Sequence, residues 1–309
     1  MPFTVIAGQY RLVGKTRAGN PSGFSPDGDS IQFQPDDRGL LEKLPVLDRP
    51  IRFTSVGSVQ LRMEGIDALE LHFTQPGGRT HQPRPLADES RDALIETLGL
   101  GPVTYQEPDG TRVRPPAPGD GRRGWILTRA LDVHGRPVSW VSTGEPPAAD
   151  GSEVWLDDPL LRRTANYTQV AAGAAYPLFY DTLFADLRQG LADAAVAAEE
   201  AKRGIWARDV TMSGVDGGSV RALQRDGVIF PKLFRRLAEY HATQSHDLDG
   251  FLPWLQQLGE QVIDLDTTNF THFDNVVAVD GDQVRLTRPP VRLVFVSDKG
   301  RRRPNRPPR

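Results

Sequence analysis

The chain has 309 residues, a formal net charge of -3, and 38% hydrophobic and 25% charged residues. This length is sufficient for two domains, and the acidic balance excludes a protein that binds polyanions over its whole surface. The sequence contains no cysteine, which excludes disulfides, thiolate metal sites and a cysteine nucleophile. Any contact with nucleic acid must therefore come from local basic patches.

The sequence offers no signal for a membrane or for export. No apolar run approaches the roughly 20 residues of a membrane span, so we expect no membrane-spanning segment. The segment Met1–Ala7 has neither a basic start nor a long apolar run, so no secretory signal is predicted. We therefore expect the protein to be cytoplasmic.

The first half of the chain is predicted to be mainly β, because its 30 glycines and 26 prolines overall favour small β architecture with insertions over a helical bundle. Segment 35–55 is predicted to be an insertion, and 103–114 a hairpin around Asp109-Gly110. The alternation of apolar residues predicts, in chain order, strands at 3–13, 30–34 and 56–66, a helix at 86–98, and strands at 125–131 and 138–143.

The second half is predicted to be more helical, and its character changes after residue 210. Helices are expected at 160–175, 183–202, 230–240 and 251–258, and strands at 276–279, 283–286 and 291–296. A Gly/Ser-rich linker is expected at 212–218. Residues 211–299 then form an α+β extension with apolar faces for a separate small core, and we expect residues 1–210 to fold without it. Residues 300–309, with five arginines and three prolines, are predicted to be a basic disordered tail, either solvated or in contact with nucleic acid.

One stretch, residues 61–70, concentrates chemically useful side chains at the end of a predicted strand. Arg62 precedes Asp67 by five residues, and Glu70 follows in a turn. A strand that ends in two acids, with an arginine before them, can direct all three side chains to one point. Such a point suits a cation and a phosphate.

Three further segments complete a pattern. Asp27-Gly28-Asp29-Ser30 precedes a strand, Asp132-Val133-His134-Gly135-Arg136 forms a turn before another, and Ala201–Trp206 follows the long predicted helix. Together with residues 61–70, they resemble the thermonuclease (staphylococcal-nuclease-like) family over about residues 1–210. The resemblance implies a five-stranded OB-fold barrel with helices. By contrast, Asp280-Gly281-Asp282 is predicted to be an ordinary hairpin turn, since no similar acidic strand end follows it.

The resemblance also implies a metal site. It gives Asp29 and Asp67 as carboxylate ligands and the backbone carbonyl of Ala68 as a third ligand. These hard oxygen donors favour calcium, with magnesium or manganese as alternatives. A rival metal site at His241 and His246 is disfavoured, because a spacing of five residues does not place both on one helix face.

The implied catalytic groups are Glu70, which would activate water, and Arg62 and Arg136, which would bind the scissile phosphate. The family's Asp-Thr-Pro-Glu turn is replaced here by residues 67–70, Asp-Ala-Leu-Glu, so that Glu70 loses the rigidity that proline gives. Arg62 has a plainer interpretation as the ion-pair partner of Glu64 or Glu70. Trp206 is predicted to be a core residue rather than a stacking platform.

Two functions follow from these patterns. The first is a metal-dependent phosphodiesterase, a nuclease that hydrolyses DNA or RNA with low sequence specificity. The alternative is a catalytically weak or inactive module of the same shape that binds nucleic acid or protein, with the C-terminal extension as a protein-binding part. The altered turn at 67–70 and the acidic net charge favour the alternative, while the matched acids and arginines favour the enzyme.

Overall fold

The computed structural model describes residues 2–244 and 247–297. The predicted basic tail and His246 lie outside these residues. Within them the chain forms eight α-helices, twenty strands and three short 3-10 helices. The helices are α1 (Arg38–Glu42), α2 (Arg84–Thr97), α3 (Asp158–Leu161), α4 (Ala165–Ala171), α5 (Ala185–Glu200), α6 (Val220–Asp226), α7 (Pro231–Thr243) and α8 (Phe251–Leu258).

The strands are mostly short, and the longest two, β1 and β10, have nine residues each. In chain order they are β1 (Phe3–Arg11), β2 (Val13–Lys15), β3 (Pro21–Gly23), β4 (Gln32–Pro35), β5 (Val59–Gln60), β6 (Arg62–Met63), β7 (Ile66–Asp67), β8 (Phe73–Gln75), β9 (Gly78–Thr80), β10 (Arg123–Leu131), β11 (Pro137–Thr143), β12 (Glu153–Val154), β13 (Tyr176–Pro177), β14 (Phe179–Tyr180), β15 (Val215–Asp216), β16 (Gln261–Asp264), β17 (Asn269–His272), β18 (Val277–Asp280), β19 (Gln283–Leu286) and β20 (Leu293–Phe295).

The main sheet is nearly closed into a barrel. Its strands pair in the order β5-β4-β1-β10-β11-β6, and β12 adds to β1. Only Leu61 separates β5 from β6, so one bent segment pairs with β4 on one side and, in parallel, with β11 on the other. The result is a mixed α+β fold with a barrel-like sheet, which confirms the predicted class at that level. The five-stranded OB-fold stays a prediction.

Several predicted elements are divided in the structure. The expected strand 56–66 is broken into β5, β6 and β7, because Gly65 has a φ of 80° and turns the chain between β6 and β7. The expected helix 160–175 is two helices, since the Thr164 side chain accepts a hydrogen bond from Tyr167 N and caps α4. The expected hairpin 103–114 contains only one bridge, between Tyr105 and Val113.

The C-terminal extension differs from the prediction at its start and again around β16 and β17. The segment 212–218 has the composition of a linker, but Val215 is buried and β15 pairs with β19, so part of that segment belongs to a sheet. Helix α6 and strands β16 and β17 lie where no regular element was predicted. Helix α8 has the predicted bounds, and α7 begins one residue later than predicted and ends three residues later.

The extension packs directly against the barrel part of the chain. Strand β14 pairs in parallel with β20, and the Gln82 side-chain amide donates to the carbonyls of Gly227 and Ile229, both at 2.8 Å. Buried apolar side chains from both sides of residue 210 form one continuous cluster. The division at residue 210 stays a prediction, but these contacts bring α7 to the barrel end that carries the predicted acids.

Trp206 lies at this junction and is 8% exposed. The Tyr176 ring packs edge-on against it with the ring centres 5.0 Å apart, and against Phe230 at 6.0 Å. Trp206 is therefore a core residue, as predicted. Aromatic contacts of this kind couple the end of the long helix α5 to the start of α7.

Candidate functional site

The predicted acids converge at one end of the barrel. Asp29 lies in the loop before β4, and Asp67 ends β7, which is held by antiparallel pairing with β13. The backbone N–H of Ala68 donates to Asp29 Oδ2 at 3.2 Å, so this oxygen is adjacent to the Asp67–Glu70 turn. The turn Asp27-Gly28-Asp29 fits closely against that segment, since a Cβ on Gly28 would come within 2.6 Å of the Ala68 Cβ.

A residue of the C-terminal extension occupies the point at which the acids meet. Arg235, in α7, donates from Nη1 to Asp67 Oδ1 at 3.0 Å and from Nη2 to Asp67 Oδ2 at 2.8 Å. Nη1 also donates to Glu70 Oε1 at 2.5 Å. This is a bidentate pair with one carboxylate and a shared bond to a second, the strongest class of side-chain hydrogen bond. Both carboxylate oxygens of Asp67 therefore accept a hydrogen bond from Arg235.

Sequence analysis missed Arg235, and the available signal was weak. Arg235 and Arg236 are adjacent in an amphipathic helix whose buried face includes Leu233, Phe234 and Leu237. An arginine beside such a face is usually solvated. Its acidic partners are 168 and 165 residues earlier, a separation that no local pattern reveals.

The acids sit in a strongly perturbed electrostatic environment. Burial and the neighbouring Asp29 raise the pKa of Asp27 well above its usual range, and burial with the charge of Asp67 raises the pKa of Asp29. Burial raises the pKa of Glu70 to about 7, although Arg235 acts in the opposite direction. The site thus concentrates negative charge in a poorly hydrated place, and one guanidinium partly neutralises it.

Arg235 remains charged under all relevant conditions. Burial alone would lower its pKa, but the carboxylates of Asp67 and Glu70 outweigh burial and raise that pKa well above the usual value. The charge of Arg235 is therefore a fixed component of the site.

The two predicted phosphate-binding arginines are placed differently. The Arg62 guanidinium lies 4.9 Å from the ring centre of Tyr180. Burial alone would lower the Arg62 pKa, but Tyr180 and, to a lesser extent, Asp132 and Asp67 outweigh burial and raise that pKa. Arg136 donates from Nε to Asp132 Oδ2 at 2.8 Å. Arg62 thus lies against Tyr180 and feels the charge of Asp67, while Arg136 is turned toward a different carboxylate.

The plainer interpretation of Arg62 as an ion-pair partner does not describe this structure. In the described part of the chain Arg62 forms no salt bridge with either glutamate. Glu64 instead lies 3.7 Å from Arg129 Nη2, and Glu70 is bonded to Arg235. Arg62 instead lies beside Tyr180. Burial alone would raise the Tyr180 pKa, but the charges of Lys232 and Arg62 lower it to about 8.

The implied metal ligands do not fit a divalent cation as they are arranged here. Across residues 2–244 and 247–297, no group of three or more His, Asp or Glu side chains is placed so that it could hold a metal ion. A divalent cation needs several free oxygen ligands, but both oxygens of Asp67 and one of Glu70 bind Arg235. The guanidinium supplies the positive charge that the resemblance assigns to calcium.

Of the alternative histidine pair, His241 alone lies in the described residues. His241 Nε2 lies 2.7 Å from the carbonyl oxygen of Gly217, and His246 falls outside them. His241 is therefore engaged with the backbone at the start of the extension.

Comparisons with known proteins do not add a family. No protein-family model matches the chain, and no curated protein matches it. The thermonuclease resemblance stays a prediction from motifs. Among the helices of the described residues, none is both long and apolar enough to cross a membrane.

Proposed function

We propose that the chain is a nuclease-like barrel of the OB type that binds nucleic acid and does not hydrolyse it while Arg235 lies between Asp67 and Glu70. The observation that carries the proposal is the three-bond contact of Arg235 with these two acids. The barrel and the matched motifs support the nucleic-acid partner, and Arg235 supports the absence of turnover.

The strand pairing supports the OB-type assignment. If β5 and β6 are counted as one bent strand, the barrel has five strands. In chain order the first to fifth strands are β1, β4, β5–β6, β10 and β11. Around the barrel the first pairs with the second, the second with the third, the third with the fifth, the fifth with the fourth, and the fourth with the first. The third and fifth strands are parallel. Arg62 lies on the third of these strands, Asp67 and Glu70 follow it, and Asp29 lies in the loop that joins the first two.

The contact of Arg235 engages the carboxylate that the resemblance gives the role of activating water. Phosphodiester cleavage needs a group that activates water and a positive charge that is free to bind the developing phosphate charge. The Glu70 carboxylate is hydrogen-bonded to Arg235, and the Arg235 guanidinium is ion-paired with the carboxylates of both Asp67 and Glu70. A phosphate at this point would also be repelled by Asp29 and Asp67.

A metal-dependent nuclease is the second candidate, favoured by the convergence of Asp29, Asp67, Ala68 and Glu70 at one point. In that function Asp29, Asp67 and the Ala68 carbonyl would bind calcium, or magnesium or manganese in its place, and Glu70, Arg62 and Arg136 would act on DNA or RNA. It requires α7 to withdraw Arg235 from the acids.

The two candidates are separated by comparing wild type with Arg235→Gln and Glu70→Gln. The readouts are binding of DNA and RNA in EDTA, digestion of plasmid and single-stranded DNA in calcium, magnesium or EDTA, and calcium binding by calorimetry. Arg236→Gln is the matched control, because Arg236 is the next residue of α7 and pairs with Glu260 instead.

We expect wild type and Arg236→Gln to bind DNA without metal-dependent cleavage, and Arg235→Gln to gain calcium binding. Metal-dependent cleavage by wild type that is lost in Glu70→Gln refutes the proposal and establishes the nuclease. Failure of wild type to bind any nucleic acid refutes both candidates.

A further inference from the structure

A basic groove leads away from the acidic site along the β2–β3 hairpin, and its basic lining residues and Phe24 are not among those that the motifs single out. We call it the hairpin groove. Its outer part is a cavity of about 420 Å³, with Lys15, Arg17 and Arg112 as its charged lining residues. Its inner part is a cavity of about 240 Å³ that reaches Ser30 and His72 beside the acids. Phe24 and Ser25 line both parts.

The charged side chains that line the groove are all basic. In neither cavity is an Asp or Glu among the lining residues, although Asp109 lies nearby, 3.6 Å from Arg79 Nη1. Within the described residues, the side chains of Lys15 and Arg17 form no hydrogen bond or ion pair. Arg112 only donates to Ser22 Oγ at 3.3 Å. These exposed cations are free to bind a polyanion, and that local contact is what a chain of net charge -3 requires.

The inner part of the groove is less charged. The two arginines that line it both have an acidic partner: Arg11 is paired with Asp120 at 2.8 Å, and Arg79 Nη1 lies 3.6 Å from Asp109 Oδ2. Burial lowers the pKa of His72, and its Nε2 lies 3.3 Å from the Ser25 carbonyl oxygen, so this ring nitrogen is engaged with the backbone. The inner part therefore suits a neutral group better than a second row of phosphates.

Phe24 supplies an apolar surface between the two parts. A Cβ on Gly14 would come within 2.5 Å of the Phe24 Cζ, so the ring lies directly against the hairpin where Gly14 has no side chain. The Phe24 N–H donates to the Leu12 carbonyl at 2.8 Å, and its carbonyl accepts from Val113 N at 2.8 Å. The Phe24 backbone is thus held in place between the two parts of the groove.

We infer that the hairpin groove binds single-stranded nucleic acid, with phosphates on Lys15, Arg17 and Arg112 and a base against Phe24. Surfaces that bind single strands combine cations along the backbone with aromatic side chains on which bases stack. A paired duplex has no free base to place on Phe24. The inference rests on the proposed function, because it specifies which nucleic acid the barrel binds and where.

The test uses the full chain and fluorescence anisotropy with a labelled oligothymidylate of about 12 nucleotides, a length within the site sizes of OB folds. The charge variant is Lys15→Gln, Arg17→Gln, Arg112→Gln. Its matched control, Lys202→Gln, Arg208→Gln, Arg221→Gln, removes the same charge at exposed residues that line neither cavity.

We expect the charge variant to bind about tenfold or more weakly at low salt, and the slope of log affinity against log salt to fall by about 2, as loss of three phosphate contacts predicts. The control should bind as wild type does. Phe24→Leu should weaken binding roughly tenfold, and this difference should disappear on an oligonucleotide of the same length without bases.

The possible failures are distinguishable. If wild type binds neither a single strand nor a duplex at low salt, the proposed function and the groove both fail; if it binds a duplex but no single strand, the groove alone is wrong. If wild type binds but the charge variant equals its control, the groove alone is wrong and the partner binds elsewhere. If Phe24→Leu is equally weak on the oligonucleotide without bases, or a duplex binds as tightly as the single strand, the assignment to single strands is overturned.

Discussion

Replacement of Arg235 by glutamine should destabilise the protein in a strongly pH-dependent way. The side chains of Asp67, Glu70 and Arg235 are 5%, 15% and 21% exposed. Removing one partner of a fully buried ion pair typically costs 3–5 kcal/mol. Because Arg235 is partly exposed, screening reduces this value, and we expect a cost of about 2–3 kcal/mol at pH 8.

The pH dependence follows from Glu70. The pKa of Glu70 in the folded protein is about 7, which is above its value in the unfolded chain. Between these two pKa values the folded state binds more protons than the unfolded state. The contribution of Glu70 to the free energy of unfolding therefore falls as the pH rises through this window. Arg235 lowers the Glu70 pKa, and therefore Arg235→Gln raises it further. At pH 5 Glu70 is protonated in both proteins, so the cost of the substitution should be markedly smaller than at pH 8.

The assay is urea unfolding of wild type and variant at pH 5, 6.5 and 8, with Arg236→Gln as the control. Arg236 and Lys232 hold the pKa of Glu260 well below its usual value, against the effect of burial. The stability from a carboxyl with a lowered pKa is fully present above its unfolded pKa, so the cost of Arg236→Gln should be constant from pH 5 to pH 8. An equal cost of Arg235→Gln at pH 5 and pH 8 would contradict the argument.

Two further outcomes test the surroundings of the site. Tyr180, with a pKa of about 8, should ionise well below the other tyrosines in a spectroscopic pH titration. Lys232→Met should move its midpoint upward; an unchanged midpoint would show that Lys232 does not act on the phenol. A chain that ends at Val210, which the sequence predicts to fold, loses the β20 partner of β14 and Arg235. We expect it to lack a cooperative thermal transition by circular dichroism, and a cooperative melt near that of the full chain would refute this.

The sequence alone was enough for the local parts of the fold. The alternation of apolar residues located β10 and β11 to within two residues of their ends, and helical spacing with a following glycine located α2. These elements depend on contacts within a few residues, so their signal is present in any short window. The same applies to the acidic turn at 67–70, because Asp67 and Glu70 follow a short buried strand.

The tertiary structure decided what those acids contact. The motif predicted that Asp67 and Glu70 would face a cation, and a cation is there, but it is the guanidinium of Arg235, supplied by a helix more than 160 residues later. Helix α7 reaches the acids through packing that no window of sequence contains: the pairing of β14 with β20 and the bonds from Gln82 to the loop before α7. Charge in the sequence specifies that a buried carboxylate needs a partner; only the long-range packing of the chain specifies which partner it receives.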